Sequence, residues 1–438
     1  MRSMKKIVSS RFFQRPATRT GWWSGLLAIL AMVMLILNNL GLNPFNEMTG
    51  QMQPILVTAF DLIMLGSLLA AIVLGIIAVT GKRERSWLVW LFMIPVTLLA
   101  ILLIAFSIEV YKFNHVRVEI APTPDAGIER MPVIFDDDGS PDGTSALLYL
   151  LSDPRADVRA VSVSYGEAHP QVYIHYLGAL LERYGYGDIP LGAGKDAPLA
   201  GNNAFPDSVR EASNGFWGFS QSNLDQKYPV EDSAELMVRT ITQSDEPVTL
   251  LVSSALTNLA EALRIKPGIK ENIATVYIMG GAVYVPGNLK GLDPDTDNSF
   301  AEWNIYVDPL AASEVFASGL NLYLVPLDAT NQVELTRNDT GVWRKGGSIP
   351  DFAAEIYDSR MRDWDREAIE MWDLVTAEIM LNPQHCAFTP LMLEVVTAEG
   401  DTEGQTRVIE GKGNVNVCLE PDGDAIKQTL EVMFGERK

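Results

Sequence analysis

Four aspartates lie within seven residues, at the point where a short apolar run meets a predicted helix. Asp136, Asp138 and Asp142 follow the apolar run at 132–135. Like charges this close together cannot all stay ionised in a low-dielectric site unless a cation neutralises them. Hard cations such as Ca²⁺ and Mg²⁺ prefer oxygen ligands of this kind. The pattern favours a metal or catalytic site over its alternative, an acidic cluster that only stabilises the start of a helix.

The spacing of these acids also predicts where they point. Asp136 and Asp138 are two residues apart, so their side chains face the same side if the strand extends that far. Asp137 would then face the opposite side, and we do not expect it to contribute to the site.

Strand-like and helix-like segments alternate after residue 131. Apolar runs at 132–135, 158–163, 248–252, 275–279 and 322–325 are each followed by polar or helix-favouring residues. This alternation predicts βαβ units and the α/β class, with a mostly parallel sheet flanked by helices. Ligands of such sheets bind at the carboxyl ends of the strands. Segments at 387–396, 405–409 and 414–419 predict a small antiparallel appendage before a last helix at 425–434.

Two enzyme families begin with a similar acidic strand end. The haloacid-dehalogenase-like phosphatases start with Asp-x-Asp-Gly-Thr, which residues 136–140 approach. The nucleoside hydrolases start with Asp-x-Asp-x-x-x-Asp-Asp, which residues 136–143 match except at the last position. Later segments favour the second family, in the order Leu-Thr-Asn-Leu-Ala (256–260), Ile-Met-Gly-Gly (278–281), Ala-Glu-Trp-Asn-Ile (301–305), Val-Pro-Leu-Asp-Ala-Thr (325–330) and Asp373.

The chain therefore resembles the inosine-uridine preferring, calcium-dependent nucleoside hydrolases from about residue 132 to the last helix. The resemblance implies hydrolysis of the N-glycosidic bond of ribonucleosides to ribose and free base by a Ca²⁺-bound water. A non-catalytic domain that binds nucleoside or ribose as a sensor is the alternative on the same fold. The phosphatase is a minor alternative.

The resemblance also implies a role for each matching residue. Asp138 would bind Ca²⁺ and take a proton from the attacking water, and Asp136 would support it. Trp372 stands where some members have a His, which resembles the purine-preferring members whose aromatic residue stacks on the base. The other implied metal ligands are Asp373 and the carbonyl of Ser253, and the implied substrate-binding residues are Asp142, Asn288, Glu302, Asn304 and Trp303.

One position departs from the family pattern. The family's last acid in the first motif is a major Ca²⁺ ligand, and here Gly143 stands in its place. A glycine has no side chain that could coordinate an ion. Glu167 follows the second predicted strand and should lie at the same edge of the sheet. We therefore expect Glu167 to supply the missing carboxylate, and the alternative is that metal binding and activity are lost.

The first 110 residues differ from the rest of the chain in their apolar and basic composition. Apolar runs at 22–37, 55–79 and 87–108 predict three transmembrane helices that anchor the chain in a lipid bilayer. Basic residues precede the first run and lie between the second and third. The positive-inside rule then places the N-terminus in the cytoplasm and everything after residue 108 outside, in a multi-pass cell-membrane protein.

Charge and cysteine content describe the remainder of the chain. The whole chain has a formal net charge of -21, and residues 1–110 are net basic, so the remainder is strongly acidic. An acidic domain repels nucleic acid, so we expect no nucleic-acid partner, and the resemblance implies a small nucleoside as the ligand. Cys386 and Cys418 could form one disulfide or stay as two thiols. The predicted domains are an anchor at 1–110, a linker at 111–131 and a hydrolase-like domain at 132–438; a homo-oligomer is possible.

Overall fold

The computed structural model describes residues 127–219 and 227–436, together with eight single residues of the N-terminal part (Arg19, Trp23, Ser24, Leu26, Val73, Ile76, Ile77 and Thr80). The chain divides into two compact units, Met1–Val116 and Arg117–Lys438. Apart from those single residues, the predicted transmembrane helices lie outside the described residues, as does most of the predicted linker. Within the described residues, no helix is long and apolar enough to cross a membrane.

A nine-stranded sheet runs through the second unit. Its order is β10-β13-β7-β6-β5-β1-β2-β3-β4, and every neighbouring pair is parallel except β10 and β13. The predicted α/β fold with a mostly parallel sheet is therefore confirmed. The strands are β1 (Met131–Asp137), β2 (Ala156–Val163), β3 (Leu191–Ala193), β4 (Val230–Asp232), β5 (Val248–Ser253), β6 (Ile273–Met279), β7 (Leu322–Val325), β10 (Cys386–Leu391) and β13 (Val415–Pro421).

Helices cover both faces of this sheet. They are α1 (Pro141–Ser152), α2 (Pro170–Arg183), α3 (Asp207–Asn214), α4 (Ser233–Gln243), α5 (Thr257–Ile265), α6 (Trp303–Val307), α7 (Pro309–Phe316), α8 (Leu327–Thr330), α9 (Arg337–Trp343), α10 (Ser348–Asp363), α11 (Trp372–Leu381) and α12 (Gly423–Phe434). One hydrophobic core contains residues of α1, α2, α10, α11 and α12, and a second contains residues of α4, α5 and α7.

The central strand β1 shows how the sequence produces these layers. Val133 and Phe135 belong to the first core and Ile134 to the second, because successive side chains of a strand face opposite sides. A strand covered on both faces is apolar throughout, as residues 132–135 are. Ser140 then caps α1 by accepting a hydrogen bond from the Gly143 N–H, and Pro141 occupies the first turn. The chain therefore turns sharply from strand to helix within three residues.

The C-terminal strands differ from the prediction in part. β10 and β13 pair antiparallel, as predicted, but they extend the edge of the main sheet. β11 (Leu393–Val395) and β12 (Thr406–Val408) do form a two-stranded antiparallel sheet of their own. Another such sheet, β8 (Glu334–Thr336) with β9 (Ala368–Glu370), was not predicted. A disulfide joins Cys386 of β10 to Cys418 of β13, with 5.9 Å between the two Cα atoms.

Candidate active site

A cavity of about 590 Å³ lies at the carboxyl ends of β1, β5 and β6. This is the edge where a parallel sheet places its ligands. Every predicted metal-binding and substrate-binding residue lines it. The lining comprises the acidic and amide side chains Asp138, Asp142, Glu167, Asn288, Glu302, Asn304, Asn331, Glu370 and Asp373, with Ser140, Ser253, Arg360, Arg366, Phe205, Trp303, Tyr357, Trp364, Trp372 and several apolar residues around them.

Asp136 lies beneath the cavity and is not part of its lining. Its carboxylate accepts hydrogen bonds from Ser162 Oγ at 2.5 Å, Asn258 Nδ2 at 2.8 Å and Ser254 Oγ at 3.2 Å. Burial raises the pKa of Asp136 to about 6, although these donors act in the opposite direction. These hydrogen bonds link the end of β1 to β2 and to the start of α5, so Asp136 positions the floor of the cavity from beneath.

Asp138 and Glu167 face each other at the floor of the cavity. The backbone N–H of Glu167 donates to Oδ2 of Asp138 at 3.2 Å. Burial raises the pKa of Asp138 well above its usual range, and the charge of Glu167 raises it further. Burial also raises the pKa of Glu167 to about 7, opposed by the positive charge of Arg360. Oε2 of Glu167 is buried and has no hydrogen-bond partner.

A hydrogen bond between Asp142 and Asp373 links helix α1 to helix α11 at the cavity. Oδ2 of Asp142 accepts a hydrogen bond from the backbone N–H of Asp373 at 2.6 Å, and its Oδ1 accepts one from the hydroxyl of Tyr357. Ser140 Oγ donates to Asp373 at 2.9 Å. Burial raises the pKa of Asp142 to about 6 and that of Asp373 well above its usual range, the latter also through the charge of Asp142.

Asp137 lies only in part where the strand pattern predicted. β1 ends at Asp137, so the alternation of side chains does not continue to Asp138. Asp137 is fully buried and accepts hydrogen bonds from the Gly139 N–H at 3.0 Å and from Ser253 Oγ at 3.2 Å. Its carboxylate packs against Gly143. Asp137 faces away from the partners of Asp136, as predicted, but its charge acts on Asp138, so the expectation that it faces away from Asp138 as well is wrong.

The opposite wall of the cavity holds amides and one carboxylate. Glu302 caps α6 and accepts hydrogen bonds from three backbone N–H groups, those of Gly281 at 2.9 Å, Asn304 at 3.0 Å and Ile305 at 3.3 Å. Burial raises the pKa of Glu302 to about 7 despite these donors.

The neighbouring side chains of this wall are fixed in the same way. Asn304 donates to the carbonyl of Met279 at 3.1 Å, and Asn288 accepts from the Trp303 N–H at 3.1 Å. The ring of Trp303 stacks on Phe205, with 4.4 Å between the ring centroids. The wall is thus a rigid set of polar groups beside an aromatic pair, which suits a sugar next to a flat ring.

Aromatic side chains surround one cation at the mouth of the cavity. Trp372 donates from Nε1 to Asn331 at 3.2 Å, and its ring lies 6.5 Å from that of Trp364. The guanidinium carbon of Arg360 lies 4.1 Å from the ring centroid of Trp364 and 4.8 Å from that of Trp217. A cation over aromatic faces is held in place electrostatically.

Sequence reasoning missed Tyr357 and Arg360. Both lie on α10, which does not follow a strand of the main sheet, so the search for residues at strand ends did not reach them. Their spacing of three residues places both on one face of a helix, and Trp364 follows at a spacing of four from Arg360. That pattern could have been found, although it is equally typical of a helix that packs against a core.

The donor set of the cavity fits a hard divalent cation. Among the residues that the structure describes, no three acidic, His or Cys side chains already converge as an ion cage. The donors nevertheless suit such an ion, because they are buried carboxylate oxygens. Each carboxylate repels its neighbours and raises their pKa, and a bound cation would relieve that repulsion. The buried and unpartnered Oε2 of Glu167 points to a missing positive partner. Asp138, Asp373, Glu167 and the carbonyl of Ser253 are the candidate ligands.

The family model for inosine-uridine preferring nucleoside hydrolases matches residues 133–428. The chain belongs to this family. The nucleoside hydrolase resemblance is thereby confirmed, and the phosphatase interpretation of the acidic strand end is not supported. The match begins within β1 and ends within α12, so it includes residues of every strand of the main sheet.

Relatives support the assignment to the nucleoside hydrolases. A pyrimidine-specific ribonucleoside hydrolase RihA of Citrobacter koseri is 31% identical over 284 residues, which are 64% of this chain and 88% of that protein. The pyrimidine-specific RihA of Escherichia coli O1:K1 / APEC is 30% identical over 310 residues, covering 67% of this chain and 94% of that protein. The family match and these identities support nucleoside hydrolase activity.

Solved structures of nucleoside hydrolases share the fold. A plant nucleoside hydrolase, the PpNRh1 enzyme, has a TM-score of 0.62 at 24% identity and covers 70% of this chain and 99% of its own. A purine-preferring ribonucleoside hydrolase from Gardnerella vaginalis has a TM-score of 0.62 at 22% identity and covers 69% of this chain and 98% of its own. At these identities the likeness concerns the fold alone.

Proposed function

We propose that this chain hydrolyses the N-glycosidic bond of ribonucleosides with Ca²⁺ bound at the floor of the cavity. The observation that carries the proposal is the meeting of Asp138, Asp373 and Glu302 in one cavity at the carboxyl edge of the sheet. Bound Ca²⁺ would balance the charge of the floor carboxylates and polarise a water for attack on the sugar.

The side chains that line the cavity have separate roles in the reaction. Asp138 takes the proton of the attacking water, because it is the acid at the end of β1 that faces the cavity. Asn288, Asn304 and Asp142 hold the sugar hydroxyls. Positive charge develops on the sugar as the bond to the base breaks, and the buried carboxylate of Glu302 stabilises that charge. Asp136 positions the floor from beneath.

The mouth of the cavity receives the base. Trp372 and Trp364 offer aromatic faces, and a purine presents a larger ring than a pyrimidine for stacking. Trp372 therefore supports a preference for purine nucleosides. The RihA relatives are named as pyrimidine-specific, so the preference has to be measured on this chain itself.

The location of the enzyme follows from the N-terminal sequence. The three apolar runs at 22–37, 55–79 and 87–108, with basic flanks, support a membrane anchor that leaves the hydrolase unit outside the cytoplasm. The disulfide between Cys386 and Cys418 suits the same oxidising side. An external enzyme of this kind would release bases from nucleosides before uptake.

Base release from inosine, adenosine and uridine tests the function, with the full chain in detergent and Ca²⁺ present. We expect release from at least one purine nucleoside and a loss of at least about a hundredfold in kcat for Asp138→Asn. Asp401→Asn, which removes a carboxylate from an exposed turn, should leave kcat unchanged. Saturable nucleoside binding without any release by the wild type would contradict hydrolysis and favour the non-catalytic sensor.

A further inference from the structure

Gly143 leaves a gap at the start of α1 that the side chain of Asp137 fills. An ideal Cβ on Gly143 would collide with Oδ1 of Asp137 and lie 2.5 Å from its Cγ. Real Cβ atoms essentially never come that close to another atom. The carboxylate of Asp137 and a side chain at position 143 therefore exclude each other, and this chain has the carboxylate on the strand instead of on the helix.

The position of Asp137 brings it into the group of floor carboxylates. Its negative charge acts on both Asp138 and Asp373, and the charge of Glu167 acts on Asp137 in turn. The donors that Asp137 accepts from are the neutral hydroxyl of Ser253 and the backbone N–H of Gly139. Neutral donors do not balance the charge of a buried carboxylate.

The positive charge of Arg360, at the mouth of the cavity, acts on other members of the carboxylate group. Its charge lowers the pKa of Glu167 and of Asp142. Arg360 thus balances Glu167 in part, whereas the main charge effects on Asp137 and Asp138 come from other carboxylates, among them Glu167. A second observation concerns the group of floor carboxylates as a whole, because Oε2 of Glu167 is buried without a hydrogen-bond partner and so points to a positive partner that the group lacks.

We propose that Asp137 is the carboxylate that completes the Ca²⁺ site of this chain in place of a side chain at position 143. Together with Asp138, Asp373 and the carbonyl of Ser253 it gives the ion a third acidic ligand from the strand side. Glu167, whose charge is partly balanced by Arg360, contributes less. The proposal rests on the Ca²⁺-dependent function proposed above and deepens it.

Calcium binding to the full chain in detergent, measured by isothermal titration calorimetry, tests this assignment without any substrate. We expect Asp137→Asn to weaken Ca²⁺ binding at least tenfold and Glu167→Gln to weaken it by less than about threefold. Asp401→Asn serves as the matched control and should bind Ca²⁺ like the wild type. Circular dichroism of each variant verifies that the fold is intact.

Moving the carboxylate from position 137 to position 143 gives a sharper test. Gly143→Asp alone should disrupt the site, because the new side chain collides with Asp137. The double variant Asp137→Ala/Gly143→Asp frees that space and returns an acid from the helix, so its Ca²⁺ affinity should come within about fivefold of the wild type. The same double variant keeps the test valid if Asp137→Asn fails to fold.

The outcomes separate this inference from the proposed function. Wild-type Ca²⁺ affinity in Asp137→Asn, or a greater loss in Glu167→Gln than in Asp137→Asn, would overturn the assignment of Asp137. A wild type that binds no Ca²⁺ would overturn it as well. A wild type that binds Ca²⁺ through Asp137 but releases no base from any nucleoside would instead refute hydrolysis and leave the assignment standing.

Discussion

The backbone N–H of Asp373 donates a hydrogen bond to Oδ2 of Asp142 over 2.6 Å, although the two residues are 231 positions apart in the chain. Tyr357 donates to the other carboxylate oxygen of Asp142. One carboxylate on α1 thereby holds the start of α11 and the middle of α10. The cavity depends on this junction because all three residues line it.

Tyr357→Phe tests the junction. The change leaves one oxygen of a buried carboxylate without its donor, so the free energy of unfolding should fall by about 1–3 kcal/mol. We also expect kcat/KM for the best nucleoside to fall at least about fivefold. Tyr176→Phe is the matched control, because Tyr176 donates to the carbonyl of Asn214 at 2.6 Å outside the cavity. Equal losses of activity in both variants would contradict a specific role for Tyr357.

Arg360→Gln removes the cation at the mouth of the cavity. Glu167 and Asp142 lose a balancing charge, and Trp364 loses its cation contact. We expect kcat/KM to fall about tenfold or more, which corresponds to about 1.4 kcal/mol. Arg362→Gln lies on the same helix at an exposed position and should leave kcat/KM unchanged. Steady-state kinetics that cannot distinguish the two variants would argue against a role of Arg360 in the site.

Trp372→Ala tests whether this side chain selects the base. Loss of the ring should raise KM for inosine more than KM for uridine, since the larger base loses more stacking area. Trp372→Phe keeps a ring but loses the hydrogen bond to Asn331, and its KM values should stay near those of the wild type. A uniform increase in KM for both substrates would show that Trp372 does not discriminate between them.

The disulfide between β10 and β13 should stabilise the fold. It closes a loop with a sequence separation of 32, for which chain entropy gives about 3–4 kcal/mol. Cys386→Ser/Cys418→Ser should lower the midpoint of thermal unfolding, and dithiothreitol should lower that of the wild type but not that of the double variant. Dithiothreitol without effect on the wild type would show that the two cysteines are not paired in solution.

Glu378 should make stability depend on pH. It is buried on α11, and burial raises its pKa to about 8, against hydrogen bonds from Asn382 and the positive charge of Arg155. The charge of Asp153 raises the pKa further, and His385 lies 2.9 Å from the Glu378 carboxylate. The carboxyl therefore keeps its proton in the folded state over a range of pH in which the unfolded chain has lost it.

That difference determines the sign of the pH dependence. The contribution of Glu378 to stability is complete below its ordinary pKa of 4.5 and disappears as the pH rises towards about 8. Glu378→Gln removes one titrating group, so its free energy of unfolding should decline less than that of the wild type over this range. Urea unfolding at a series of pH values measures the difference, and parallel curves for the two proteins would contradict it.

The strands and helices around the first motif were predictable from sequence because several signals agree there. The apolar run, Ser140 and Pro141 predict a buried strand followed by a helix, and the structure gives β1 and α1 at those positions. β3 and β4 were missed because three residues are too few to show a periodicity. The disulfide could not be decided, because the distance between Cys386 and Cys418 depends on the pairing of β10 with β13.

Two kinds of signal reached residues that line the cavity. Asp138 and Ser253 lie at strand ends, whereas Glu302 and Asn304 came from the resemblance to a family motif. Asp137 was misjudged, because the alternation of side chains holds only inside a strand and β1 stops at that residue. Tyr357 and Arg360 come from a helix whose position depends on tertiary packing, which local sequence does not encode.

The two edge strands of the main sheet disfavour β-pairing between copies of the domain. At one edge, β10 carries Pro390, whose ring nitrogen has no hydrogen to offer another strand. At the other edge, β4 has three residues, of which Glu231 and Asp232 are exposed acids. Both features discourage edge-to-edge growth of the sheet into intermolecular β-structure. Copies of this domain brought close together on a crowded surface are thus protected from β-aggregation through these strands.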